Sequence, residues 1–496
     1  KRLENQISDL ETQIQTRIKI VREKTPIQED AASAELRRRR DELKAQYDEI
    51  FAKPELTDAE RLEAWKERTR DRIEEATEIL AGTRQRRARK SAIDLDHEAL
   101  RLRYDLHQIE RQIREREVAE KMKNRPTYQK VIGEIGETAN TVRALMTSFD
   151  FSAPLRQGLI IGAAHPMRAA KAFPEMFKAA FSPEQAFRQA EGLRNRENAP
   201  LYESSGLYLA EHGGRLSAME EAFMSRRAEK LPILGRGIRA SQRAYTAYLN
   251  RIRADSFDSM VKGLTQDGKG NPAELKAIAN FINVATGRGS VAWNQAATTL
   301  NTVFFAPRYV ASRFEYLAGQ PLYKGTARTR KLIAQEYGRF LAGAAVVYAL
   351  AQAAGGKVGT DPNNADFGKI QVGDTRIDPM AGLLQSTVLA SRTASIYGSK
   401  AGLMKVPEQK GRKLEMSKVL WNFLRGKLAP VPGLVLRFGE GKYPGGKKVT
   451  PANVATSVLP ISWQDIYEAT KAQGVPAGLA LGVLSIFGTG VQTYEK

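Results

Sequence analysis

The sequence predicts a nearly all-α protein with one small β-hairpin. Apolar residues recur at spacings of three, four and seven along most of the 496 residues, and this is the period of helices. Proline, glycine and capping residues divide the pattern into segments of helix length. Alternating apolar and polar residues mark a strand, and they are confined to one short stretch. We therefore expect an N-terminal region of coiled coil or helical hairpins, followed by a helical body that contains the β-hairpin.

Residues 1–125 are predicted to form a charged coiled-coil helical region. Its apolar seams are Leu3, Ile7, Leu10, Ile14 and Val21; Leu36, Leu43 and Ile50; and Leu102, Leu106, Ile109 and Ile113. These spacings match the a and d positions of heptads. Pro26 and Pro54 end the first two helices, and a capping box of Thr57 and Glu60 begins a third. Because the apolar stripes are narrow, the helices must pair, either as a hairpin within one chain or as an oligomeric coiled-coil barrel.

The rest of the chain is richer in alanine, glycine and phenylalanine. We divide it into a cationic helical domain, residues 126–330, and a C-terminal helical domain, residues 331–496, with glycine-rich loops and weakly apolar helices. The pattern predicts helices at roughly residues 129–149, 166–181, 183–194, 215–229, 237–263, 272–284 and 291–320.

Two loop-rich segments interrupt the C-terminal helices. Residues 355–380 are rich in Gly, Asp and Asn, and within them Ile370, Val372 and Ile377 flank the turn pair Gly373 and Asp374. This arrangement predicts a hairpin at about residues 368–378. The second segment, PVPGLVLRFGEGKYPGGKK, covers residues 430–448 and is predicted to be mainly loop.

Three apolar runs raise the question of membrane insertion: residues 158–162, 340–356 and 475–491. A spanning helix needs about 20 mainly apolar residues, so the two longer runs fall at the lower limit. We expect buried helices, and insertion into a membrane stays an open alternative. Within residues 340–356, we expect burial of the small residues Ala342, Gly343, Ala345 and Ala349 and of the larger residues Phe340, Val347 and Leu350.

The formal net charge of +21 is unevenly distributed. Residues 1–125 contain 30 basic and 28 acidic residues, whereas the remainder contains 47 basic and 28 acidic residues. A cationic body suits contact with DNA, an anionic membrane or an acidic partner. The candidate nucleic-acid-binding residues are Arg84, Arg86, Arg87, Arg89 and Lys90 in one run, and Arg239 and Arg243 in a later helix. A solvated connector is the competing interpretation of the run, and a buried face at Leu249, Ile252 and Phe257 explains the aromatic residues beside Arg243 more simply.

No motif in the sequence indicates catalysis, a cofactor or a metal. Cysteine is absent and the four histidines lack metal-ligand spacing, which argues against metal sites and thiol chemistry. The stretch GKYPGGKK resembles a P-loop, but Lys448 stands where a hydroxyl would hold Mg²⁺. The stretch GRGSVA resembles a dinucleotide fingerprint, but helical patterns flank it where a βαβ unit is needed. We therefore expect a protein that is not an enzyme. Because the chain begins with Lys1, we also expect it to be a piece of a longer protein.

Four stretches together resemble a family of bacteriophage proteins. They are FDFSAPLRQGLIIGAAHP at 149–166, RAYTAYLNRIRADSFD at 243–258, FGKIQVGDTRIDPMAGLLQ at 367–385 and LPISWQDIYEATKAQG with FGTGVQTYE within 459–495. They look like the large polyvalent protein-associated domains of phage polyproteins and like the internal virion (ejection) proteins of short-tailed phages. The likeness covers about residues 126–496.

The resemblance implies a virion protein packaged near the portal and expelled into the host envelope ahead of the genome. There it would form part of a conduit for genome delivery, as a ring-like homo-oligomer. The implied partners are the portal or other internal virion proteins, phage DNA bound without sequence specificity, and the host membrane after ejection. The resemblance transfers no catalytic motif. The alternative is a DNA-binding or scaffolding module of an injected polyprotein without a channel role.

Overall fold

A computed structural model describes residues 31–50, 97–123, 152–210, 234–264, 271–289, 303–380, 382–403, 408–409, 412–441 and 490–493, with isolated positions between 63 and 475. The chain forms two compact units. The first comprises Lys1–Arg86 and Leu95–Lys130, and the second comprises Arg87–Asp94 and Val131–Lys496. Each is described separately.

The first unit contains two described helices, α1 (Ala31–Ile50) and α2 (His97–Lys123), which pack against each other. Leu36 and Leu43 are partly buried on α1, and Ile109 and Ile113 are buried on α2. The predicted seams are therefore confirmed at Leu36 and Leu43 on α1 and at Ile109 and Ile113 on α2. For these two helices, pairing within one chain is also confirmed. The seam at residues 3–21 lies outside the described residues, as does most of the third predicted helix.

The second unit is built mainly from helices, which agrees with the predicted fold class. Its helices are α3 (Ser152–Ala164), α4 (Pro166–Phe181), α5 (Pro183–Arg194), α6 (Ala199–Ser205), α7 (Leu234–Leu264), α8 (Pro272–Ala285), α9 (Pro307–Leu317), α10 (Gln320–Tyr323), α11 (Ala327–Ala353), α12 (Leu383–Lys400), α13 (Met416–Arg425) and α14 (Pro430–Glu440). Its strands are β1 (Lys357–Val358), β2 (Ile370–Val372), β3 (Thr375–Asp378), β4 (Glu408–Gln409), β5 (Arg412–Lys413) and β6 (Gly490–Thr493).

Several helices begin at a proline, as the sequence predicts. Pro166, Pro183 and Pro272 occupy the first turns of α4, α5 and α8, where a backbone N–H has no helical partner to lose. Asn271 completes a capping box with Glu274 at the start of α8. These signals explain why the predicted spans 166–181 and 183–194 match α4 and α5. The predicted helices at 129–149 and 215–229 lie outside the described residues.

The core of the second unit surrounds α7. Leu249, Ile252 and Phe257 of α7 are fully buried, and α3, α4, α5 and α8 pack against this helix. At Gly158 of α3, an added Cβ would lie 3.0 Å from the ring of Tyr248, so this glycine allows close packing of α3 against α7 in the core. The same buried cluster extends past residue 330 through Ile333, Phe340 and Leu383. A division at that position stays a prediction.

The predicted β-hairpin is confirmed. β2 and β3 pair antiparallel with Ile370 opposite Ile377 and Val372 opposite Thr375, and Gly373 takes a positive φ of 57° in the turn. The hairpin belongs to a four-stranded sheet in the order β1-β2-β3-β6. The sequence did not predict β1 or β6, because no tight turn joins either of them to its partner strand as Gly373 and Asp374 join β2 and β3.

Two predictions about residues 291–320 and 430–448 were wrong in part. The predicted continuous helix at 291–320 is broken, because Ala306 adopts a left-handed φ of 49° and α9 begins only at Pro307. The second segment contains α14 where a loop was predicted. Pro430 and Pro432 lie in the first turn of α14, where prolines are tolerated, so they initiate a helix here and do not break one.

Candidate interaction surface

The helix α11 packs onto the core through one face. Ile333, Glu336, Phe340 and Ala344 are buried on it. The ring of Phe340 meets Tyr316 edge-on, with centroids 5.9 Å apart. α11 also comes close to α3 at Gly343. The expected burial of Phe340 is confirmed.

The opposite face of the C-terminal half of α11 is exposed and apolar. Leu341, Val346 and Leu350 are 61%, 58% and 66% exposed, and the small residues Ala342, Ala345 and Ala349 are exposed between them. Val347 is also exposed. Within one chain, the expectation that Ala342, Ala345, Val347, Ala349 and Leu350 are buried was therefore wrong. The helix is present, but its apolar residues cover more of its circumference than one packing face can bury. We call Leu341, Ala342, Ala345, Val346, Ala349 and Leu350 the α11 apolar face.

Two shorter helices further along the chain also expose apolar side chains. On α13, Phe423 packs against Phe314 of α9 with centroids 5.7 Å apart, while Leu420, Trp421 and Leu424 remain largely exposed. α14 has no buried residue, and its Val435 and Phe438 are 66% and 60% exposed. Grouped exposed apolar residues mark an interaction surface more often than single scattered ones do.

A polar contact holds α11 against the corner between α3 and α4. Nε2 of His165 lies 2.5 Å from Oε2 of Glu336, at a distance where the imidazole donates to the carboxylate. Arg339 donates to the other oxygen of Glu336. Arg168 lies near the same carboxylate and near Asp255 of α7, and it donates to the hydroxyl of Ser256. These contacts set the rotation of α11 and hence the direction in which the α11 apolar face points.

We expect this contact to weaken in acid. Burial raises the pKa of Glu336, but the hydrogen bond and charge of His165 and the charge of Arg339 outweigh it, so the pKa lies below the usual 4.5. A lowered carboxyl pKa gives stability that is complete above the unfolded value and is lost as pH falls through the folded value. The difference in unfolding free energy between wild type and Glu336→Gln should therefore shrink on going from pH 6 towards pH 3.

The exposed Glu415 offers a matched control, because it also pairs with a neighbouring cation, Lys418. The difference between wild type and Glu415→Gln should stay small and nearly flat over the same pH range. Denaturant titration monitored by helical circular dichroism gives both differences. If the two differences in unfolding free energy change with pH in the same way, the carboxylate of Glu336 contributes no more to stability than an exposed carboxylate does.

The predicted nucleic-acid-binding residues are only partly described. Arg84, Arg86, Arg87, Arg89 and Lys90 lie outside the described residues. Arg239 is partly buried on α7. Arg243, also on α7, donates from Nε to the carbonyl of Ala179 (2.9 Å) and from a terminal nitrogen to that of Ala180 (2.6 Å). Its guanidinium thus satisfies carbonyl groups at the C-terminus of α4. A nucleic-acid role for these seven residues stays a prediction.

Buried arginines were missed by the sequence reasoning. Arg253 and Arg313 are almost fully buried, and both donate to the C-terminal end of α8: Arg253 to Thr286 and Arg313 to the carbonyl of Ala285. The carbonyl groups at a helix C-terminus carry partial negative charge and favour a cation. A signal for Arg253 was present, because it lies four residues after Leu249 and four before Phe257, on the buried face of α7.

A second set of polar contacts joins α12 to the linker between α13 and α14. Lys427 donates to Oε1 of Gln385 at 2.5 Å, and its backbone carbonyl accepts from Phe305. Burial lowers the pKa of Lys427 to about 8, and the charge of Asp378 opposes that shift. Burial also raises the pKa of Asp378. The hydrogen bonds of Lys427 therefore tie the linker between α13 and α14 to α12 and to Phe305.

Among the described helices, none has both the length and the hydropathy that crossing a membrane requires. The described residues also contain no group of three or more His, Cys, Asp or Glu side chains placed to hold a metal ion. Comparisons with protein-family models, with curated proteins and with solved structures return no match. The resemblance to phage ejection proteins therefore stays a prediction.

Proposed function

We propose that this chain is a non-catalytic structural protein that assembles with copies of itself as part of a bacteriophage ejection apparatus. In this proposal it is packaged near the portal and contributes to the conduit that delivers the genome across the host envelope. The observation that supports self-assembly most directly is the exposure of apolar side chains on α11, α13 and α14 in a chain whose core is otherwise well buried.

The charge distribution fits the same role. The cations after residue 125 outnumber the acids by 19, which suits a place beside packaged DNA and later contact with an anionic membrane. Some of these cations stabilise helix ends inside the fold, as Arg243, Arg253 and Arg313 do. A ring requires a heterologous contact between copies that closes by rotation. The exposed apolar side chains of α13 and α14 offer a surface for such a contact.

The test is the mass and symmetry of the purified chain. Light scattering after size exclusion is expected to give a discrete mass several times that of the 55.0 kDa chain. Class averages from negative-stain electron microscopy are expected to show rotational symmetry around a lumen. A monomer at every concentration tested, or a continuous distribution of aggregates, would overturn the proposal.

The cationic body favours a second candidate, a DNA-binding or scaffolding module without a channel role. It predicts binding to duplex DNA of random sequence, with an affinity that falls steeply with salt. Each neutralised phosphate contributes about 0.9 to the slope of log affinity against log salt. Replacing Arg84, Arg86, Arg87, Arg89 and Lys90 together by Gln should flatten that slope by several units. Strong DNA binding by a monomer would favour this candidate over the conduit.

A further inference from the structure

We propose that the α11 apolar face packs against the same face of a second copy of this chain, with the two α11 helices antiparallel. This inference rests on the proposed function only because both require self-association. It adds the surface, the α11 apolar face, and the antiparallel orientation of the second copy.

The α11 apolar face has the shape of a shallow groove. Successive residues of a helix are turned by about 100°, so Ala342, Ala345 and Ala349 lie along its centre line. Leu341 lies on one flank, and Val346 and Leu350 lie on the other. Small residues on the centre line allow another helix to approach closely, and the larger side chains on the flanks then pack against it.

The spacing along the centre line favours a helix as the occupant. The exposed residues Gly338, Ala342, Ala345, Ala349 and Gln352 follow a 4-3-4-3 pattern. This pattern keeps two helices in contact over several turns. The apolar part, Leu341 to Ala353, is about 18 Å long at 1.5 Å per residue, and it begins directly after the exposed cation Arg339. Such a length matches a short helix–helix contact and falls well below the thickness of a bilayer core, about 30 Å.

The charges of α11 select the antiparallel orientation. Arg328, Arg330, Lys331 and Arg339 lie in its N-terminal half, and the only acidic residue of the helix, Glu336, faces the core. In a parallel pair, these cations would lie beside the same cations of the other copy. In an antiparallel pair centred near residue 347, Arg339 lies beside the C-terminal end of the other helix, whose carbonyl groups favour a cation. The apolar parts then overlap along their full length.

The absence of cysteine from the sequence makes a sharp crosslinking test possible. A disulfide forms only when two Cα atoms come within about 7 Å. Centring the pair near residue 347 brings residue 342 of one copy beside residue 352 of the other. Copies of residue 342 are then about 15 Å apart, ten residues at 1.5 Å each. The full chain carrying Ala342→Cys and Gln352→Cys together should therefore form a disulfide-linked dimer on mild oxidation, and each single variant should not.

Phe181→Cys is the control, because Phe181 is 82% exposed on α4, outside the α11 apolar face. It should give no dimer under the same conditions. Dimers from each single variant, Ala342→Cys and Gln352→Cys, would show a parallel pair and overturn the orientation. No dimer from the double variant, in a chain whose mass shows self-association, would overturn the inference while leaving the proposed function intact. A monomeric mass would overturn both.

A lipid surface is the remaining occupant to distinguish. Vesicles of phosphatidylcholine and phosphatidylserine, added to the Ala342→Cys chain, should leave the thiol as reactive towards a water-soluble maleimide as it is without vesicles. If vesicles protect the thiol from maleimide while the chain stays monomeric, the α11 apolar face binds lipid and the inference is overturned.

Discussion

Replacing Phe340 by aspartate is expected to prevent the second unit from folding, whereas Val347→Asp is expected to be tolerated. Phe340 is 3% exposed and contacts Tyr316, which in turn stacks on Tyr337 with centroids 4.2 Å apart. Removing a buried Phe costs about 3–5 kcal/mol. The unpaired buried carboxylate adds several kcal/mol. The sum approaches or exceeds the typical stability of a domain, about 5–15 kcal/mol.

Val347 lies two turns after Phe340 on the same side of the helix, so the contrast tests how far along α11 the core extends. Val347 is 42% exposed, so its replacement removes only part of a buried side chain and leaves the carboxylate in contact with water. The expected cost is about 1–2 kcal/mol, from the apolar surface that the substitution removes. Denaturant titration followed by circular dichroism measures both variants against wild type. Equal and severe destabilisation by the two substitutions would mean that the buried face of α11 continues past Ala344 to residue 347.

The sequence predicted helix ends well wherever a local signal sets them. Pro166, Pro183 and Pro272 act within the first turn, so a reader of the sequence needs no knowledge of the rest of the fold. The hairpin around Gly373 was predictable for the same reason, since alternation and turn residues lie within ten positions. Ala306 shows the limit of this reasoning. Its left-handed conformation breaks an otherwise helical pattern, and alanine carries no signal for it.

Burial was predicted less well, because it depends on which elements meet. The run at residues 340–356 is uncharged on every side, so its sequence does not distinguish the face at Phe340 from the face at Leu350. Packing against α3 and Tyr316 makes the distinction. The same holds for the arginines: Arg243 belongs to a cluster that suggested DNA, yet its guanidinium meets the end of α4, sixty residues away in sequence. The exposed face of α11 therefore could not be predicted from the sequence, because it depends on how α11 packs against the core.

Gly343 provides the last and most local test of how α11 is held. An added Cβ at this position would lie 2.5 Å from the carbonyl oxygen of Ala163 and 3.1 Å from its carbonyl carbon. Backbone atoms cannot rotate away as a side chain can, so Gly343→Ala must push α3 and α11 apart. Overpacking of this kind costs about 1–3 kcal/mol. We expect Gly343→Ala to destabilise the second unit by that amount.

Gly338 supplies the matched control one and a half turns earlier in the same helix. An added Cβ there meets nothing within 4 Å, so Gly338→Ala should stabilise the helix by about 0.5–1 kcal/mol through the lower backbone entropy of the unfolded chain. One substitution at two positions of one helix is thus expected to change the unfolding free energy in opposite directions. Both values come from denaturant titration at a concentration below that of self-association. Stabilisation by both alanines would show that α3 and α11 do not approach at Gly343, and the α11 apolar face would then lose the contact that fixes its direction.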